Sequence, residues 1–299
     1  MEPAARPYSR NDFRGVFLRK YATLLRALVD PKLKKRPMNE ALVAELAAEF
    51  AGLYSRPAAR GAVPVPRHIW MLWQQGWDKA PALVQACARS WAQRNPGWEL
   101  HLLDDATLDE YAPGYRGIPA PGARRPARAN LARVSLLCEH GGVWADATLF
   151  CSRGLDDWLP GVWDAGFFMF TFPRPYRPSD NWFIASAPNS WLLAAMRNIF
   201  TQYWSLFGRP HHYFWMHYLL EYLTEIDPRA GEIWSRMPRI PAGGPLIVGA
   251  YAFDRQAPQQ VFDLIERGTV PLHKLSHKWR HRGSLAGTPL GRLTGLAHL

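Results

Sequence analysis

Residues 130–148 gather side chains that can do chemistry. Asn130 and Arg133 stand at i and i+3, on one face of a helix predicted over 127–140. Gly141 and Gly142 end that helix. The run 143–150 has the character of an apolar strand with Asp146 inside it and Thr148 two residues on, on the same side of the pleat. A carboxylate within an apolar strand is costly unless it is paired, hydrogen-bonded or close to a metal. The set suits a diphosphate, with Arg133 on its oxygens and Asp146 on a hydroxyl or a divalent ion. An Arg133–Asp146 pair made for structure alone fits the same spacing, and both readings stand.

Other reactive residue types lie further along. Asp180 adjoins Asn181, which suits either a nucleophile or an exposed loop carboxylate, and the loop setting fits it better. His217 and Glu221 share a helix face at i and i+4, which serves a metal, a general base or a satisfied structural pair. No side chain stands out as a nucleophile. Three cysteines, Cys87, Cys138 and Cys151, are an odd count without CxxC spacing. They argue against a disulfide framework or a structural zinc site and for a reducing cytoplasm.

The elements that must position these groups alternate in type. Phe13, Phe17, Tyr21, Leu24, Leu25 and Leu28 recur at helical spacing among Arg14, Arg19, Lys20 and Arg26, and Lys32, Lys34, Lys35 and Arg36 follow. Such a helix can lie on an anionic membrane surface or pack its stripe on the domain. A second helix is predicted over 39–54, capped by Asn39, and a Pro/Ala/Gly-rich linker over 56–66. Strands are predicted over 68–73, 98–103, 143–150 and 166–172, and helices over 81–95, 127–140, 190–207 and 213–226, with a long loop over 112–126. That alternation indicates an α/β domain with a mostly parallel central sheet, whose ligands bind beyond the carboxyl ends of the strands.

The chain has 299 residues and a formal charge of +11, with 48% hydrophobic and 13% aromatic residues. No run approaches the length needed to span a bilayer, and the first ten residues lack the apolar core of a secretory signal. The charge is uneven: residues 1–36 carry ten Lys/Arg and three acids, residues 267–299 carry six Lys/Arg and no acid, and the body between them is close to neutral at −2. A nucleic-acid-binding body would carry a basic face of its own, so no nucleic-acid partner is expected.

The segment ending in GGVWADAT (141–148) resembles the retaining glycosyltransferases of family 32 and, more closely, the bacterial capsular polysaccharide synthesis proteins related to them. The large clostridial glucosylating toxins share the local pattern. IWMLWQQGWDKAP (69–81), CARSW (87–91), NPGWE (95–99), NWFIA (181–185), YFWMH (213–217) and, weakly, HKLSHK (273–278) resemble further family segments in the same order. The likeness covers roughly 64–280. It implies a GT-A fold at 61–299 behind a helical extension at 1–60, a nucleotide-sugar donor, a glycan or lipid-linked glycan acceptor, and transfer with retention in capsule or other surface polysaccharide synthesis. The setting would be cytoplasmic, peripheral to the inner membrane through residues 1–36.

Carried over by residue, the resemblance puts Asp146, Arg133 and Asn181 at the reacting centre, with Asp146 also holding Mn²⁺ or Mg²⁺. Trp73 would stack on the nucleobase, with Trp70 as second choice; Asn130, Thr148, Lys274, His277 and Lys278 would line the donor, and His217 is a further candidate. Two positions depart from the pattern. Thr148 stands where a second acidic residue is usual, and Asn130 where Asp is usual. Both make the site less acidic, so a weakly metal-dependent enzyme, one relying on the basic C-terminal segment, and an inactive sugar-nucleotide-binding relative all fit. A transferase that glycosylates a protein is a further alternative.

Overall fold

The computed structural model describes residues 7–29, 37–58, 63–174 and 177–299. The basic cluster at 32–36 and part of the expected linker lie outside them. The chain opens with helices α1 (Arg10–Val29) and α2 (Glu40–Ala51). Asn39 caps α2 by accepting from the Leu42 amide at 3.0 Å. α1 buries Phe13, Val16 and Phe17 completely or nearly so, at about 1.5–3 kcal/mol for each large side chain. Phe13 and Phe17 meet Tyr203 at ring distances of 5.4 and 5.7 Å. The two N-terminal helices therefore share the main hydrophobic core with the rest of the chain.

The α/β region runs β1 (His68–Leu72), α3 (Ala82–Arg94), β2 (Glu99–Leu103), α4 (Leu108–Tyr111), α5 (Arg125–His140) and β3 (Gly142–Ala145). It continues through β4 (Leu149–Cys151), β5 (Phe167–Arg174), β6 (Arg177–Ser186), α6 (Trp191–Phe207), α7 (Trp215–Ile226) and α8 (Pro228–Arg236). The remainder is α9 (Ile247–Ala250), α10 (Gln259–Arg267), β7 (Leu272–Lys274) and α11 (Pro289–Thr294). The five-stranded sheet has the order β2-β1-β3-β6-β5. β2, β1 and β3 pair in parallel, and β6 is antiparallel to both β3 and β5. Four strands thus run one way and β6 against them, which agrees with a mostly parallel sheet.

The strand expected over 143–150 is two strands. β3 stops at Ala145. The Asp146 amide still donates to the Trp182 carbonyl of β6 at 2.9 Å, but the Asp146 carbonyl accepts from the Leu149 amide at 2.8 Å and closes a turn. β4 then leaves the main sheet and pairs with β7 in a separate two-stranded ribbon. Asp146 sits at a strand exit, and Thr148 in the turn. The expected loop over 112–126 also holds a short helical turn at Pro113–Gly117, and α5 starts at Arg125 with Pro in its first turn.

Candidate functional site

Four elements deliver the side chains. The register of β1 on β3, Ile69 opposite Val143 and Trp70 opposite Trp144, brings both strand exits to one end of the sheet. Those exits present Trp73 and Asp146. α5 presents Asn130 and Arg133, β6 arrives antiparallel with Asn181, and β7 ends at Lys274. The Gly141–Gly142 link lets α5 turn straight into β3: both glycines have positive φ, 67° and 89°. A Cβ on Gly142 would stand 2.5 Å from the His68 carbonyl oxygen, so no larger residue fits at that crossing.

Asp146 is the hub. Its Oδ1 accepts from Trp144 Nε1 at 3.0 Å and lies 3.2 Å from Arg133 Nη2. Its Oδ2 lies 3.2 Å from Lys274 Nζ, and Lys274 also donates to Thr148 Oγ1 at 2.5 Å. Burial on its own would raise the Asp146 carboxyl, but Lys274, then Arg133, and the hydrogen bonds from Trp144 and Lys274 outweigh it and hold the group below the usual range. Two cations to one carboxylate leave a surplus positive charge at this end of the sheet, which suits an anion.

The two cations differ in reach. Arg133 is 4% exposed. Its Nε donates to the Ala129 carbonyl at 3.2 Å, its Nη1 donates to the Asn181 carbonyl, and its guanidinium lies 4.8 Å from the centre of the Trp144 ring. Lys274 and Asp146 keep about a fifth and a quarter of their side-chain surface, at 21% and 25%. Arg133 is built into the floor, while Lys274 faces outward with one of its three N–H donors uncommitted to Asp146 or Thr148.

Asn130 and Asn181 also meet: Asn181 Nδ2 donates to Asn130 Oδ1 at 2.9 Å and contacts Met216 Sδ at 3.3 Å. Trp73 packs beside Trp77 on a small apolar cluster of Ala80, Val84 and Ala147, the last within the Asp146 turn. Its buried Nε1 has no hydrogen-bond partner among the described residues. His277 is exposed and meets the Trp73 ring edge-on at 5.1 Å. Lys278 is exposed beside it and makes no ion pair among the described residues.

Three expectations need correction. Trp70 offers no ring face to a nucleobase: it is 1% exposed, stacks on His101 at 4.0 Å and donates through Nε1 to the Gly141 carbonyl. Asp180 is no exposed loop residue but a buried β6 carboxylate paired with Arg177 at 2.8 Å. Burial raises its pKa, against the pull of Arg177. His217 and Glu221 do not work together. Glu221 pairs with Lys20, while buried His217 meets Ser179 Oγ through Nδ1 at 3.2 Å. Burial, then Arg177 and Arg133, keep His217 well below the ordinary histidine value, so it is neutral.

The donor set does not match a divalent cation. Both oxygens of Asp146 face cations or an indole, the nearby carboxylate of Asp180 is paired with Arg177, and the Thr148 hydroxyl accepts from Lys274. The Lys274 ammonium fills the gap between residues 146 and 148 in which an ion would need oxygen ligands. The Arg177 partner of Asp180 has no signal in the sequence beyond the acid beside Asn181.

A family model described as "Capsular polysaccharide synthesis protein" matches residues 55–286. The chain belongs to that family. The chain is also similar to named glycosyltransferases over part of its length. It is 27% identical over 112 residues to O-glycosyltransferase braB of Annulohypoxylon truncatum, covering 33% of this chain and 26% of that one. It is 24% identical over 109 residues to the initiation-specific alpha-1,6-mannosyltransferase of Candida albicans, covering 32% and 27%. The match thus spans about a quarter of each of these relatives. Among solved structures, the PaToxG glycosyltransferase aligns over 79% of this chain and 96% of its own, with a TM-score of 0.44 and 11% identity.

Proposed function

We propose that this protein transfers a sugar from a nucleoside-diphosphate sugar to a hydroxyl of a glycan or lipid-linked glycan, in the synthesis of a surface polysaccharide. The observation that carries the reading is the Asp146 hub: one carboxylate between two cations at the carboxyl ends of the strands, beside an indole with an unused donor. Family membership and the named glycosyltransferase relatives support it.

In this reading the Trp73 ring takes the nucleobase and Asp146 accepts from hydroxyls of the ribose or sugar. The free donor of Lys274 meets the diphosphate, whose charge grows as the glycosidic bond breaks, so a fixed cation stabilises the transition state more than the ground state. Arg133 positions Asp146 and the Asn181 backbone. Retention of anomeric configuration is the outcome the resemblance implies. Because Lys274 stands where a cation would bind, transfer proceeds without added divalent metal.

The test is nucleotide release from a panel of UDP- and GDP-sugars with an acceptor glycan, with Mn²⁺ or with EDTA. Wild type is expected to release nucleotide from one donor under both conditions. Asp146→Ala and Lys274→Ala are expected to lose about 100-fold or more, the scale of removing a preorganised charge. Variants that match wild type would show the site to be elsewhere. A second reading, donor binding without turnover, is favoured by the Asn130 amide oxygen being taken by Asn181. It predicts a thermal shift with a donor and no nucleotide release.

A further inference from the structure

A second cluster lies at the opposite end of the same strands. His68 opens β1, and its register partner on β2 is Glu99. His101 follows two residues later on the same face of β2, opposite Trp70. From His68 to Leu72 is five residues of strand, so this cluster is roughly 15 Å from the Asp146 end. The reaction proposed above uses none of its members.

The polar atoms converge on one point. His68 Nδ1 is 3.1 Å from His101 Nε2 and 3.3 Å from Glu99 Oε2, and His101 Nε2 is 3.6 Å from Glu99 Oε1. Zinc–nitrogen and zinc–oxygen bonds of about 2.0–2.1 Å set the edges of a coordination tetrahedron at about 3.3 Å. The nitrogen–nitrogen separation falls close to that edge; the two Glu99 distances run to different oxygens, and with one atom taken from each residue the three lie within 4.8 Å of one another. His101 is held by its stack on Trp70 at 4.0 Å and 13°, so its nitrogen is aimed before any ligand arrives. His140, also beside Trp70, bonds the Tyr111 carbonyl at 2.6 Å and is spoken for.

We propose that His68, Glu99 and His101 form a binding site for a transition-metal dication of the zinc class. Two imidazoles and one carboxylate supply three ligands. The fourth position faces solvent, since the Glu99 side chain is 65% exposed and that of His68 36%. Nitrogen-rich and borderline-soft, the set selects zinc-like ions over Mg²⁺ or Ca²⁺. The bound ion ties the starts of β1 and β2 together at the sheet edge.

The full chain, stripped with EDTA and dialysed, is titrated with Co²⁺ alone and followed by visible absorption, then with Zn²⁺ by calorimetry. Wild type is expected to take up one Co²⁺ with the strong visible bands of tetrahedral coordination, displaced by Zn²⁺. Glu99→Gln and His68→Ala, both at the solvent edge, weaken uptake more than about tenfold, while Asp146→Asn leaves it unchanged. No tetrahedral spectrum in wild type, or equal uptake by the His68 and Glu99 variants, overturns the site and leaves a histidine–glutamate hydrogen-bond network. Metal-free circular dichroism of the variants, matching wild type, assigns the loss to ligands and not to unfolding.

Discussion

Lys274 turns a metal-site pattern into a salt-bridged one. Threonine at 148 offers a neutral hydroxyl in place of a second carboxylate, and the Lys274 ammonium donates to that hydroxyl and pairs with Asp146. The sequence made most of this cluster legible, because Asp146 in an apolar run and Arg133 one helix face away each call for a partner. It overreached at Trp70, where a tryptophan three residues before Trp73 alternates onto a covered position of a central strand. It passed over the Arg177–Asp180 pair, because an acid beside loop-like residues gives no sign of burial.

The neighbour of Lys274 makes a separate prediction. His273 is fully buried on β7, and neither ring nitrogen has a partner among the described residues. Burial lowers its pKa to about 3. Below pH 6.5 an unfolded chain binds a proton that the native histidine refuses, so stability is complete above 6.5 and declines as pH falls toward 3. The loss is on the order of 4 kcal/mol. Urea midpoints measured between pH 7 and 4 are expected to fall steeply for wild type and less so for His273→Leu; parallel curves would refute the assignment.

At the level of elements, the reading 3.6-then-2 periodicity located α3, α5, β1, β2 and the helices α6 and α7 within a few residues. It ran β3 and β4 together because an apolar stretch carries no mark of where a strand changes sheets; only the hydrogen bond from Leu149 to Asp146 ends it. The link before β3 is the tightest point of the site's scaffold. Gly142→Ala must adopt a φ near 89° and push against the His68 carbonyl. A destabilisation of about 2 kcal/mol or more is expected by chemical denaturation, the sum of backbone strain and clash. Gly15→Ala, in open space on α1, is expected to be neutral or mildly stabilising.

For the whole molecule, the described part of the basic N-terminal region, α1, acquires a position. No helix among the described residues is long and apolar enough to cross a membrane. α1 turns Phe13, Val16 and Phe17 inward yet leaves Leu18 69% and Leu25 65% exposed, flanked by exposed Arg14, Arg19 and Arg26. An outward face of leucine and arginine, with Arg19 paired to Glu225, is what peripheral contact with an anionic lipid surface would require. Flotation with vesicles rich in anionic lipid is expected for wild type and not with zwitterionic vesicles; Leu18→Asp/Leu25→Asp is expected to stay in the dense fraction. Flotation of the double variant would separate α1 from the membrane.

The β4–β7 ribbon sets a time as well as a place. Thr148 and Lys274 are 126 positions apart, and β7 is the only strand that pairs with β4 among the described residues. During synthesis at about 5–20 residues per second, Asp146 leaves the ribosome some ten seconds before its lysine. Through that interval the nascent chain holds a carboxylate and an arginine but no outward cation. The Asp146–Thr148–Lys274 cluster can therefore close only after β7 has emerged, which makes it one of the last features of the protein to form.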